Sequence, residues 1–383
     1  MKTILQYVFV TRLFLVLLAC SSFFLFPYLK ETTLFGNKDV RIQQGDHVYD
    51  YVDGDIAVKS MWSVWDSKWY ISIADDGYSN QRPPYQFIDN KGFLPLYAVL
   101  IGFVSRVFVF GDTILAGIIV SNIFLILSLW MIKKFTESDE QLKDSVKINH
   151  IYLYILFFPL SYYLSSVYPE SLFLFLSTAS LYFLNKKKLK SASMLIGLSM
   201  ITKIYGGFLM IPWLFYVLRE KKNISIKQIV SSLALIGIFP LLYLLHMYQV
   251  SGDIFAYSNI QNTHFGHYWG NPLEAIILDI FFRGNIQSLL NGVTTVFGIT
   301  LIFFGIKRMK IEYSLYSLAY LLLPPLSGTT NSNARYMTGL VFIPILLSLC
   351  VKKEESRYIL IYIFSCIQGF TILWWVVGAP FVA

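Results

Sequence analysis

Apolar runs close to twenty residues long recur along the chain, separated by short polar stretches. A helix of about 20 apolar residues crosses about 30 Å of hydrocarbon, so each run is long enough to span a bilayer. Strands of a membrane barrel would alternate apolar and polar positions, and these runs do not. The pattern predicts an all-α polytopic membrane protein. Its first span is expected at Ile4–Leu29, starting on the cytoplasmic side. Leu17-Leu18-Ala19-Cys20 resembles a lipoprotein cleavage site, but the apolar run continues to Phe26, so a retained helix is expected. Further crossings are expected at Ile114–Ile132, Ile151–Ser166, Ser171–Leu184, Ile229–Val250, Leu289–Ile306, Tyr313–Leu326, Tyr336–Val351 and Tyr358–Val377.

Two apolar runs do not fit as simple crossings. Phe93–Phe110 follows an external-looking loop and precedes a span ending at the basic stretch Lys133–Lys147, so it is expected to be interfacial or re-entrant. Ala192–Leu218 has basic loops at both ends and Thr202-Lys203-Ile204-Tyr205-Gly206-Gly207 at its centre. Two half-helices meeting at that tip are expected, because non-helical backbone at membrane depth is tolerated where protein surrounds it. Residues 1–383 form a single membrane domain in this reading. A large first extracytoplasmic loop runs over 30–92 and a second external loop over 251–285.

Composition supports the same picture. Hydrophobic residues make up 56% of the chain and charged residues 14%, against about 25% charged in soluble domains. The net charge is +8, and most Lys and Arg residues fall in Lys133–Lys147, Lys186–Lys190, Arg219–Lys227, Lys307–Lys310 and Lys352–Arg357. Short basic loops alternating with spans are the positive-inside pattern, not a nucleic-acid surface. They predict a multi-pass protein of the cell membrane with a cytoplasmic N-terminus and an external C-terminus. Cys20, Cys350 and Cys366 all lie in apolar runs and form no disulfide framework or metal spacing.

The candidate chemistry lies in the polar intervals. Trp62, Trp65, Trp69 and Ile73 are spaced three, four and four, which on a helix makes one stripe suited to the headgroup region. Asp66 and Tyr70 occupy the neighbouring face. A plain anchor helix, with Asp66 complementing its dipole, is the alternative. The expected topology sends the Asp66 loop, Tyr168-Pro169-Glu170, the Lys203 tip, His264 and His267, and Asn333-Ala334-Arg335-Tyr336 to one membrane face. Lys203 lies inside an apolar run, as does Arg12, and charge within a membrane is costly and commonly functional. His264 and His267 lack an obvious acidic third ligand, and Asp75-Asp76 reads as a solvated helix end before Gly77. No metal and no cofactor are expected.

Trp65-Asp66, Tyr70, Ile73-Ala74, Gly77-Tyr78 and Phe93-Leu94-Pro95-Leu96-Tyr97 resemble the first luminal loop of the PIG-V mannosyltransferases. Those enzymes add the second mannose in glycosylphosphatidylinositol assembly, and this chain resembles a bacterial-type member. Tyr168-Pro169-Glu170-Ser171-Leu172-Phe173 is similar to the family's Y-x-E-S-L-F element. Gly252-Asp253, Phe255-Ala256 and Trp269-Gly270 resemble its G-D-x-x-A-F…W-G loop, and Arg335-Tyr336 its late R-Y. Lys203 stands where relatives often have arginine, and Pro169 where they usually have Ser or Thr. The resemblance implies a GT-C-type glycosyltransferase fold and a polyprenyl-phosphate sugar donor, with mannose the leading sugar. It implies inverting transfer to a glycolipid or envelope glycan acceptor in contact with membrane lipids. No G-x-G-x-x-G opening a Rossmann unit is present, in keeping with a donor that is not a nucleotide.

In that reading Asp66 is the catalytic base, because sugar transfer through an oxocarbenium-like state needs a carboxylate to take the acceptor proton. Lys203 and Arg335 are expected to hold the departing phosphate. Trp65, Tyr70, Asp76, Glu170, His264, His267 and Tyr336 join them as substrate contacts, and Arg82 is a weaker phosphate candidate. The alternatives are a GT-C transferase of glucosyl or aminosugar specificity, and a lipid-linked sugar flippase or transporter. A transporter should show related halves with matching interruptions, and the Lys203 interruption has no obvious partner.

Overall fold

The computed structural model describes residues 1–25, 42–44, 47–49, 59, 61–78, 90–263 and 266–376. Arg82 and His264 lie outside these residues, as does most of the 30–92 loop. The chain opens with α1 (Lys2–Leu25), followed by an antiparallel hairpin of β1 (Ile42–Gln44) and β2 (His47–Tyr49) with Gln43 opposite Val48. The first half continues with α2 (Ser67–Asp76), α3 (Pro95–Phe108), α4 (Thr113–Ser138), α5 (Ile148–Leu156), α6 (Glu170–Asn185), α7 (Leu189–Met200) and α8 (Met210–Arg219). The second half holds α9 (Ile226–Ser251), α10 (Ala256–Thr263), α11 (Pro272–Phe281), α12 (Ile286–Gly305) and α13 (Ile311–Leu326). The one-turn α14 (Asn333–Tyr336), then α15 (Phe342–Cys350) and α16 (Glu354–Trp375) complete it.

Five helices among the described residues, α1, α4, α9, α12 and α16, are long and apolar enough to cross a membrane. The protein is an all-α multi-pass membrane protein. Its spans are bounded by local signals. Asp112 caps α4 by accepting from the Leu115 amide, and Ser225 with Gln228 closes a capping box at the start of α9. Gly252, at φ 72°, ends α9 in the left-handed region that glycine adopts without strain. The centre of the bundle is α6, buried on most sides and packed against α4 and α7.

Several expected crossings are shorter or broken, and each break has a cause. At 1.5 Å per residue the 16-residue α6 and α13 are each about 24 Å long. Ile151–Ser166 is not one crossing, because α5 stops at Leu156 ahead of Phe158-Pro159, and the chain reaches Glu170 by way of a short 3₁₀ helix at Ser161–Leu164. The carbonyls this frees are satisfied from distant helices. Arg12 donates to Ser161 O at 3.1 Å, Gln368 to Leu156 O at 3.0 Å and Phe158 O at 3.1 Å, and Thr371 to Pro159 O at 3.0 Å. Arg12, a candidate left without a role by the sequence, therefore braces the segment that follows the break. Tyr336–Val351 is likewise not one straight span: the Asn333–Gly339 and Phe342–Cys350 helices meet at 83°.

Ala192–Leu218 is split into α7 and the Ile204–Arg219 helix, with Thr202 and Lys203 at the junction. Gly206 makes this junction possible, since a β-carbon there would overlap the backbone of Ser199 and Met200. The Phe93–Phe110 run becomes α3, 14 residues and about 21 Å long. It buries Tyr97, Ala98 and Ile101 and exposes Val99, Phe103 and Val107.

The tryptophan stripe is corrected. The helix begins at Ser67, so Trp62 and Trp65 precede it. Trp65 has φ 59°, a left-handed conformation uncommon for a bulky residue, and it interrupts helical continuity. Trp62 and Trp69 face the protein, not the headgroups: Trp62 lies 6.2 Å from Trp375 and Trp69 stacks on Phe93 at 5.9 Å between ring centroids.

The bundle has two distinct ends. At one, Lys310 pairs with Asp139 at 2.7 Å, Arg219 with Glu312, and Lys187 with Glu220 at 2.7 Å. The C-terminus of α6 and the N-terminus of α13 lie here, with Asn185 and Tyr313 joined to the same Asp139. The opposite ends of these two helices, at Glu170 and at Leu323–Ser327, line a cavity.

Candidate active site

The cavity has a volume of about 400 Å³ and is walled by Trp65, Tyr70, Tyr168, Tyr205, Tyr257 and Tyr336. Along one side run amides and hydroxyls from Gln261, Asn262, Gln287, Asn331 and Ser332. At its base lie four charges. Arg335 Nη1 donates to Asp66 Oδ2 at 2.7 Å, and Arg335 Nε stands 3.7 Å from Glu170 Oε1. Lys203 Nζ donates to the same Glu170 oxygen at 2.9 Å. The cluster is neutral overall, with a carboxylate at its centre and another at its rim.

Local folding places each member. Asp66 sits at the N-cap position of α2, yet its carboxylate makes no cap hydrogen bond and turns to Arg335 instead. Its loop is pinned by Tyr168, whose hydroxyl donates to Val64 O at 2.8 Å and accepts from the Asp66 amide at 3.0 Å. The Val167 amide adds a bond to Trp62 O at 2.8 Å. Glu170 occupies the first turn of α6, where the helix dipole favours an anion. Lys203 is presented by the break before the Ile204 helix, and Arg335 by α14 after Ser332, which takes φ 61°.

Aromatic rings embrace both cations. Lys203 Nζ lies 4.5 Å from the centroid of Tyr336, and the Arg335 guanidinium lies 5.0, 5.3 and 5.6 Å from Tyr336, Tyr168 and Tyr163. Such contacts lower the cost of holding a cation away from water by about 0.5–2 kcal/mol each. The cluster is still not saturated. Glu170 Oε2, Arg335 Nε and Trp65 Nε1 are buried with no hydrogen-bond partner among the described residues. Buried polar groups are normally satisfied, and these three atoms are exceptions gathered in one cluster.

Of the residues expected from the sequence, Trp65, Asp66, Tyr70, Glu170, Lys203, His267, Arg335 and Tyr336 all line this cavity. Asp76 does not: it is exposed at the far end of α2, next to Asp75, whose carboxylate accepts from Thr113. His267 places Nδ1 2.9 Å from Ser327 Oγ, and burial pushes its pKa below the ordinary histidine value. It stands neutral at pH 7 and adds no cation. Tyr163, Tyr168, Tyr205, Tyr257 and the amide-lined side were not singled out as site residues. Tyr168 carried a signal in its position next to Glu170, and the others carried none.

A multi-pass helical bundle with this cavity at one end is a polytopic membrane glycosyltransferase, an enzyme rather than a transporter. The chain belongs to the PIG-V mannosyltransferase family, whose model, described as Mannosyltransferase (PIG-V), matches residues 1–290. Asp66, Glu170, Lys203 and His267 fall within the match, while Arg335 and Tyr336 are brought to them from beyond it. A comparison with curated proteins finds no match.

Proposed function

We propose that this mannosyltransferase moves mannose from a polyprenyl-phosphate donor to a lipid or cell-envelope glycan acceptor, with inversion, on the extracytoplasmic face of the cell membrane. The observation that carries the reading is the Asp66–Arg335–Glu170–Lys203 cluster at the base of an aromatic-walled cavity. Two cations side by side suit a departing phosphate, and a partly exposed carboxylate beside them suits a base. The basic loops gather at the opposite end of the bundle, which the positive-inside rule assigns to the cytoplasm.

The step balances simply. The acceptor oxygen bonds to the sugar's anomeric carbon as its proton passes to Asp66. The bond from that carbon to the phosphate oxygen breaks, and the electron pair leaves with the phosphate, held by Lys203 and Arg335. Attack opposite the leaving group inverts the anomeric centre. A carboxylate oxygen held by a guanidinium is not free to meet an acceptor hydroxyl. Arg335 holds Asp66 Oδ2 in this way. The donor phosphate draws Arg335 toward itself and releases Asp66, while buried Glu170 keeps both cations in position. Donor binding therefore precedes activation of the acceptor.

The test is a donor screen in proteoliposomes with mannosyl-, glucosyl- and aminosugar-charged polyprenyl phosphates and a nucleotide sugar. The expected result is transfer of mannose from the polyprenyl phosphate with inverted anomeric configuration. Preferred use of another sugar, use of the nucleotide donor, or retention of configuration would each contradict the proposal.

A further inference from the structure

We propose that a cleft at the basic end of the bundle, between the N-terminal turns of α7 and α9, holds the phosphate headgroup of an anionic phospholipid. The cleft is about 400 Å³ and is lined by Lys187, Lys188, Lys190, Ser191, Gln228 and Ser232, among others. Nothing in the transfer reaction uses it, and the inference stands apart from the proposed donor and acceptor.

Three observations converge on an anion. First, α7 begins without a side-chain cap: Lys188 is its N-cap residue and makes no cap hydrogen bond. The first amides of a helix have no partner within it, and they point outward with the positive end of the dipole. Second, lysines are the wrong charge for that position. Lys187, Lys188 and Lys190 crowd a helix N-terminus where cations are unfavourable. Among the described residues lining the cleft, only Glu220, 2.7 Å from Lys187, answers them. Third, Ser232 lines the same cleft, fully buried, with its hydroxyl lacking a hydrogen-bond partner among the described residues. A phosphodiester accepts from the free amides, the lysines and this hydroxyl together.

The surroundings favour a lipid over a free ion. On α7, one turn beyond Lys190 and Ser191 and on the same face, Met194 is exposed and offers an apolar contact for acyl chains below the cleft. The cleft also lies at the end of the bundle where the basic loops join the helices. Basic pockets between transmembrane helices bind anionic headgroups, with each lysine adding to the attraction.

Purified protein, delipidated and re-equilibrated with phosphatidylglycerol or phosphatidylcholine, is analysed by native mass spectrometry alongside melting temperature. The wild type should retain one phosphatidylglycerol in preference to phosphatidylcholine. Lys187→Gln/Lys188→Gln/Lys190→Gln should retain it at least about ten-fold less well. Ser232→Ala should weaken retention several-fold at an unchanged melting temperature, keeping the test valid if the triple variant folds poorly. Glu220→Gln, which releases Lys187, should strengthen retention. Equal retention in wild type and Ser232→Ala, or equal retention of the two lipids, overturns the proposal. Complete displacement by millimolar inorganic phosphate also overturns it, by assigning the cleft to a free anion.

Discussion

The two ends of the helix bundle use the same materials, buried ion pairs set among tyrosines, and finish them differently. At the basic end Asp139 is fully buried, and its Oδ2 accepts from Lys310 at 2.7 Å, Tyr313 at 2.9 Å and Asn185 at 3.3 Å. Its Oδ1 takes the Gln141 amide at 3.0 Å. Beside it Glu312 accepts both nitrogens of the Arg219 fork. At the cavity end Glu170 Oε2 and Arg335 Nε have no hydrogen-bond partner among the described residues, and Asp66 is partly open to the cavity. A completed polar network fixes a structure, whereas an incomplete one leaves atoms for a substrate to engage. The contrast separates the charges that hold the fold from those that act on a ligand.

Variants at the two ends should fail in opposite ways. The largest effect on folding is expected from Lys310→Met. It strands the buried Asp139 carboxylate, and breaking a buried pair costs about 3–5 kcal/mol. Melting temperature should fall sharply while turnover per folded molecule stays near wild type. A loss of turnover without a loss of stability would erase the distinction. Next, Lys203→Met should cost about 2–5 kcal/mol in donor binding and barrier, the range for an unpaired partner of a desolvated charge pair. Lys203→Arg should retain more activity than Lys203→Met. Wild-type kcat/KM in Lys203→Met would remove this residue from the site. The smallest effect should come from Arg12→Met, which leaves the Ser161 carbonyl without its donor at a cost of about 1–3 kcal/mol. Gln368 and Thr371 still hold the neighbouring carbonyls, so reduced stability with intact donor affinity is expected from thermal melts and binding assays. Unchanged stability would show that Arg12 does not brace the segment that follows the break.

Much of the fold could be read from periodicity and charge. The long spans and the split at Lys203 follow from run length, basic loops and Gly206-Gly207, all local signals. The breaks after Leu156 and within 333–350 were not recovered, because distant helices satisfy the freed backbone groups. Those donors, Arg12, Gln368 and Thr371, are remote in sequence from the carbonyls they meet. The stripe through Trp62 and Trp65 misled for a different reason. Spacing carries no sign of a left-handed tryptophan at Trp65. In the site, charged and motif-borne residues were legible, and their partnerships were not. Asp66 and Arg335 pair across a separation of 269 positions, which no motif on either side encodes.

The central claim, that Asp66 is the base released when donor phosphate engages Arg335, is tested most directly by Asp66→Asn. Asparagine keeps the shape and removes the basicity. Turnover per folded molecule and donor affinity are measured together in proteoliposomes charged with mannosyl polyprenyl phosphate. The account predicts that donor affinity survives, or tightens as Arg335 loses a competing anion, while turnover falls by about 10²–10⁴-fold. Near-normal turnover in Asp66→Asn, or a loss confined to donor affinity, would contradict it.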